Sequence, residues 1–151
     1  MAVEFDRIVA VRAKLQPPAP INDYVERPAI ADRLQQIERV PLVLLSAPAG
    51  YGKSTVVGDW IRRSKLPTAW LSLDESDSSL HVFVYYLICA LRTVEANACS
   101  ELLARLQQEP VLDFATLASL LSNDLDALPK RTVLVLDNYH CIREPAIHDL
   151  L

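Results

Sequence analysis

The sequence lacks most features that would take it out of the ordinary globular class. Its longest apolar stretches, Val40 to Leu45 and Val133 to Leu136, fall far short of the roughly 20 residues needed to cross a bilayer. The N-terminus mixes Glu4, Asp6 and Arg7 with no sustained apolar core, which excludes a secretory signal pattern and points to the cytoplasm, with no membrane partner. Cysteine occurs three times, at Cys89, Cys99 and Cys141. That odd count without paired spacing reads as reduced thiols rather than a metal site or a disulfide framework. The histidines, His81, His140 and His148, are equally scattered. No internal repeat or low-complexity tract is present. Positive charge is also in deficit: the formal net charge is -4, so this segment is not itself a basic nucleic-acid surface. A DNA-binding region elsewhere in a longer protein stays open.

What remains is a chain of 151 residues, 51% of them hydrophobic, enough to bury one core. Residues 1–40 read as a lead-in, with Pro17, Pro18 and Pro20 stiffening an extended segment and a short helix after Pro28 carrying Ile30, Leu34 and Ile37 on one face. Residues 41–151 read as a partial α/β domain. Leu42–Leu45 is a continuous apolar run, as expected of a strand buried on both faces in a parallel sheet. A helix opening at Lys53 places Val56, Val57, Trp60 and Ile61 on one side. Thr68–Leu73 reads as a second strand, and Asp74 to Ser79 as a polar loop capping a long helix striped by Phe83, Tyr86, Leu87, Ala90, Leu91 and Val94. A less clearly bounded helical stretch ends at Pro110. From Asp113 a further helix carries Phe114, Leu117, Leu120, Leu121, Leu125 and Leu128, and Thr132–Leu136 forms a third strand closed by Asp137. Strands alternating with helices imply a parallel sheet flanked by helices, and the motifs make it a P-loop NTPase fold.

Two motifs carry chemistry. Ala47-Pro48-Ala49-Gly50-Tyr51-Gly52-Lys53-Ser54 matches the Walker A phosphate loop with Ala at its first position. Gly50 and Gly52 permit backbone angles and close approach that a side chain would obstruct. Successive N–H groups, backed by the N-terminal end of the following helix, can then surround a β-phosphate. Lys53 suits the β- and γ-phosphates, Ser54 offers a hydroxyl to Mg²⁺, and Thr55 suits the α-phosphate. The second motif, Val133-Leu-Val-Leu-Asp137, has the form of a Walker B strand whose terminal carboxylate holds a Mg²⁺-bound water. Asn138 stands where hydrolytic members of this class have a second acid. An amide orients water but cannot accept its proton, so weak or absent hydrolysis is expected.

Ser46 to Thr55 closely resembles the large ATP-binding LuxR-type transcriptional regulators, members of the STAND class of signal-transduction ATPases. Lys14-Leu-Gln-Pro-Pro18 with Arg27-Pro28, Ala69-Trp-Leu-Ser-Leu-Asp74, and Leu134-Val-Leu-Asp-Asn-Tyr-His140 follow the same template in the same order. The resemblance implies a switch gated by ATP and ADP, self-associating in its ATP form, with an inducer sensed by a C-terminal repeat domain. DNA would be bound only through a C-terminal helix-turn-helix that these 151 residues do not contain. It also implies that Arg27 and Pro28 lie near the nucleotide, and it alone selects adenine over guanine. Asp137 followed by Asn138 departs from the family's Asp-Asp pair.

The resemblance further implies that one more strand separates the Walker A and Walker B strands, and that it would come after residue 151. The chain thus reads as an N-terminal fragment, its phosphate-loop strand lacking a neighbour, marginally stable and prone to association. Two other readings compete with a regulatory module: an inactive truncated fragment, and a small P-loop phosphotransferase. The second would need a lid with phosphate-contacting arginines, whereas the arginines here are scattered.

Overall fold

A computed structural model describes residues 10–20, 25, 27–109 and 111–151. These cluster as two compact units, residues 1–16 with 67–151, and residues 17–66. Pro110, expected to end a helix, lies outside the described residues.

The larger unit contains strands β1 (Thr68–Ser72) and β2 (Val133–Asp137), paired in parallel with Thr68 opposite Val133 and Ser72 opposite Asp137. Hydrogen bonds from Val133 N to Pro67 O and from Leu73 N to Asp137 O extend the ladder at both ends. In β2, Val133, Val135 and Asp137 therefore turn their backbone groups toward β1. Leu134 and Leu136 turn theirs to the opposite edge.

Helix α3 (Leu80–Arg92) packs on β1 and forms the centre of the core. The expected stripe is present, with Phe83, Tyr86, Leu87, Ala90 and Leu91 all buried, and it is widened by Val84 and Ile88. Val94 lies just past the helix end, partly buried against the same core. Each large side chain removed from water here contributes about 1.5–3 kcal/mol. Helices α4 (Ser100–Gln108) and α5 (Phe114–Asp126) pack together. Asp113 caps α5 by accepting from Thr116 N at 3.0 Å, and Asp124 caps α4 from outside by accepting from Leu102 N at 2.8 Å. The short helix α6 (Pro145–Leu150) buries Ile147 against α3. Leu87, Leu91, Leu121, Leu125, Leu134 and Leu150 line a groove of about 460 Å³ in this unit.

The smaller unit holds α1 (Pro28–Leu34), which runs on into a 3-10 turn (Gln35–Arg39), and α2 (Lys53–Arg63). Among its described residues, Leu34, Val56 and Trp60 are the buried large apolar side chains. The two helices border a cleft of about 660 Å³ lined by Asp32, Gln35, Arg39, Asp59, Trp60 and Arg63.

One expectation fails here. Leu42–Leu45 is irregular, not a strand, and Leu42, Val43 and Leu44 are 80%, 41% and 83% exposed. The parallel sheet of three strands is, among the described residues, a sheet of two. The physical reason lies in pairing: no other strand exists among the described residues of this unit, and a lone extended segment leaves its N–H and C=O groups without partners. Among the described residues no helix is long and apolar enough to cross a membrane.

Candidate functional site

Glycine dictates the shape of the phosphate loop. Gly50 has φ of +80° and Gly52 φ of +73°, backbone that side-chain-bearing residues rarely adopt. An added Cβ would meet nothing within 4 Å at either position, so the requirement is one of backbone angle rather than space. Gly52 is the residue that caps α2, and the helix begins at Lys53 as the sequence predicts. Val56 N donates to Gly52 O at 3.0 Å and Tyr51 N to Pro48 O at 3.4 Å, closing the loop on itself. The first-turn N–H groups of a helix project beyond its N-terminus and carry partial positive charge.

Lys53 folds back across this loop. Its Nζ donates to Ala47 O at 2.6 Å and to Pro48 O at 3.0 Å. Arg27 reaches the same loop from the residue before α1, its Nη1 donating to Tyr51 O at 2.9 Å, and Pro28 is the first residue of α1. Two cations thus converge on one loop. Ala47, Lys53, Ser54 and Thr55 are half-buried, while Pro48, Ala49, Gly50 and Tyr51 are exposed. The loop is an open cradle and forms no part of the 660 Å³ cleft.

Asp137 ends β2 in the larger unit. Its Oδ1 accepts from Asn138 N at 3.1 Å. Asn138 itself has φ of +58° and caps the 3-10 turn Tyr139–Cys141, with Cys141 N donating to Asn138 O at 3.0 Å. Asn is among the residues that tolerate this left-handed backbone, a local role that spacing alone did not reveal. His140 packs within this turn with Nε2 3.7 Å from Cys141 Sγ, and Tyr139 Oη lies 2.5 Å from His148 Nδ1. Burial pushes the Tyr139 hydroxyl pKa up.

The turn after β1 is a dense ionic knot that sequence reasoning read only as a loop. Lys14, in the 3-10 turn Arg12–Leu15, donates to both carboxylate oxygens of Asp77, at 2.8 and 2.7 Å, and sits 2.8 Å from Asp74 Oδ2. It also lies over the Tyr86 ring, 4.9 Å from the centroid. Asp77 is fully buried and closes a capping box with Asp74 around the turn Glu75–Asp77. Burial opposes the Lys14 charge, but its bonds to Asp74 and Asp77 outweigh that and raise its pKa. Lys14, with Ser76, holds the Asp74 carboxyl down at about 2. Ser79 precedes α3 without capping it by its side chain.

Cys89, Cys99 and Cys141 are free; burial pushes Cys89 up and, with the nearby Asp124, Cys99 up to about 11. Among the described residues no group of three or more His, Cys, Asp or Glu side chains could hold a metal ion.

No protein-family model matches the chain. It is similar to the HTH-type transcriptional regulator MalT of Klebsiella pneumoniae (strain 342), 33% identical over 141 residues, covering 93% of this chain and 16% of that protein. The regulator of the same name from Cronobacter sakazakii (strain ATCC BAA-894) is 34% identical over 146 residues, again covering 93% of this chain and 16% of the relative. The chain is therefore homologous to these proteins over nearly all of its own length and spans about a sixth of theirs.

Proposed function

We propose that this chain is the nucleotide-holding segment of an ATP-dependent transcription regulator of the LuxR type, of the STAND class, working in the cytoplasm. The observation that carries this reading is the loop at Ala47–Ser54. Two glycines with left-handed backbone stand ahead of a helix N-terminus, and the cations Lys53 and Arg27 are bonded to the loop's own carbonyls. A phosphate chain is the ligand such a loop suits: it accepts from projecting N–H groups and draws a nearby ammonium from neutral carbonyls by charge-assisted bonding. Similarity to MalT supports the regulatory setting.

In this reading Lys53 engages the β- and γ-phosphates, Thr55 the α-phosphate, and Arg27 and Pro28 flank the nucleotide. Ser54 and Asp137 would hold Mg²⁺. A hydroxyl and a carboxylate are the hard oxygen donors that ion prefers, and it commonly completes its shell with phosphate oxygens and water rather than with an all-protein cage. When bound, Mg²⁺ neutralises charge on the phosphates. Asn138 cannot act as a base, so ATP serves as a switch signal rather than as fuel. Self-association accompanies the ATP form, and DNA contact belongs to other parts of such a regulator.

The direct test is a titration of the chain with a fluorescent ATP analogue, with and without Mg²⁺, competed by ADP and GTP. Saturable binding that tightens with Mg²⁺ and is displaced by ADP is expected. Absence of binding at millimolar nucleotide would sink the reading, and transfer of phosphate to an added acceptor would replace it with a phosphotransferase.

A further inference from the structure

Lys14 belongs to no part of the phosphate loop, yet a short path connects it to Asp137 within the larger unit. Its ammonium is 2.7 Å from the fully buried Asp77 carboxylate, and Asp77 Oδ2 accepts from Asp74 N at 2.8 Å. These contacts fix the turn Glu75–Asp77. The same segment is bonded on its other side to the end of β2: Leu73 N donates to Asp137 O at 2.9 Å, and Ser78 Oγ donates to Cys141 O at 3.2 Å. A carboxylate with no exposed surface needs a cation, and Lys14 is the one bonded to it from 63 residues away. The turn lies at the C-terminal ends of two parallel strands, where open α/β sheets take their ligands.

We propose that Lys14 is a positioning residue for Asp137. By bonding Asp77 and Asp74 at once it holds the turn after β1, whose backbone and Ser78 hydroxyl fix the end of β2, and so it sets how tightly Asp137 can hold a divalent cation. This rests on the nucleotide reading above.

Three variants of the full chain test it: Lys14→Met, Lys14→Arg, and Lys14→Met combined with Asp77→Asn. The readouts are the Mg²⁺ midpoint of fluorescent-ATP binding, the affinity for the nucleotide without Mg²⁺, and amide exchange at Leu73 and Cys141. Lys14→Met should raise the Mg²⁺ midpoint about tenfold, as loss of outer support around a metal ligand does. The Mg²⁺-free affinity should stay within about twofold, and exchange at Leu73 should accelerate. Lys14→Arg should restore both readouts, since it keeps charge and reach. The double variant removes the buried unpaired charge and keeps an acceptor for Asp74 N. It should regain thermal stability while its Mg²⁺ midpoint stays raised, which a purely structural role would not produce.

A parental Mg²⁺ midpoint in folded Lys14→Met, or in the double variant should the single one not fold, overturns the proposal. If the parent chain binds no nucleotide, the functional reading fails instead. The tie is then judged by exchange alone, and unchanged protection at Leu73 in the variants overturns it.

Discussion

Replacing Lys53 with methionine keeps most of the side-chain stem and removes the ammonium. In the free protein that ammonium makes two bonds, 2.6 Å to Ala47 O and 3.0 Å to Pro48 O, at a half-buried residue on an open loop. Both carbonyls can return to water when it leaves, so the loss of stability is about 1 kcal/mol or less. In a chain of this size that lowers Tm by about 2–4 °C. A bound triphosphate presents ionised oxygens in place of neutral carbonyls, and charge-assisted bonds to them are about twice as strong. The net loss of affinity is therefore about 2 kcal/mol, or roughly 30-fold. Isothermal titration of ATP, ADP and adenosine onto the parent and Lys53→Met chains separates the terms. ATP should lose most and adenosine nothing. Equal ATP affinity in the two chains would refute the reasoning, because Lys53 would then be a tie for the loop and no more. A Tm drop beyond about 8 °C would refute it from the other side, since the carbonyl bonds would be worth far more than solvated ones can be.

Two glycines should respond to alanine with opposite signs in thermal melts. Gly52→Ala meets no steric clash but keeps φ near +73°, costing about 1–2 kcal/mol and distorting the loop. Gly58→Ala, inside α2 with its nearest neighbours at 3.5–3.7 Å, should gain about 0.5–1 kcal/mol; a loss there would show the contact is tighter than van der Waals. Acid titration should expose the Lys14 knot. The Lys14 ammonium holds the Asp74 carboxyl down at about 2 in the folded chain, so its stabilisation is present above the ordinary carboxylate value and lost as pH falls from about 4 through 2. Denaturant melts over that range should show the loss, and Lys14→Met should flatten it. Leu42→Ser with Leu44→Ser should reduce self-association in sedimentation velocity, since those side chains are largely exposed; an unchanged distribution would place association elsewhere.

Much of this architecture was legible from local chemistry. The start of α2 at Lys53, the carboxylate ending β2 and the start of α5 just after Asp113 each follow from residues adjacent in sequence. The stripe of α3 follows from its period. Leu42–Leu45 did not follow, because an apolar run reports a need for burial and says nothing of which strand supplies it. Phe114 and Leu125 fit the α5 period but remain 39% exposed, since a helical stripe can be wider than its neighbour covers. Helix α6 has six residues, too few to show periodicity. The Lys14–Asp77 tie and the approach of Arg27 to Tyr51 join residues far apart in the chain, and no spacing rule encodes such pairings. The left-handed backbone at Asn138 did carry a signal, the tolerance of Asn for that region, which its place beside the Walker B acid overshadowed.

The larger unit is discontinuous in sequence, since residues 17–66 interrupt it between Lys14 and the acids that hold it. During synthesis the early turn must wait, with its lysine solvated, until Asp77 has left the ribosome. Docking then closes a loop that already contains the whole smaller unit. The entropy of that closure grows only with the logarithm of loop length, about 0.6 kcal/mol per doubling. Insertions or deletions within residues 17–66 should thus leave the Lys14–Asp77 fastening nearly unaffected.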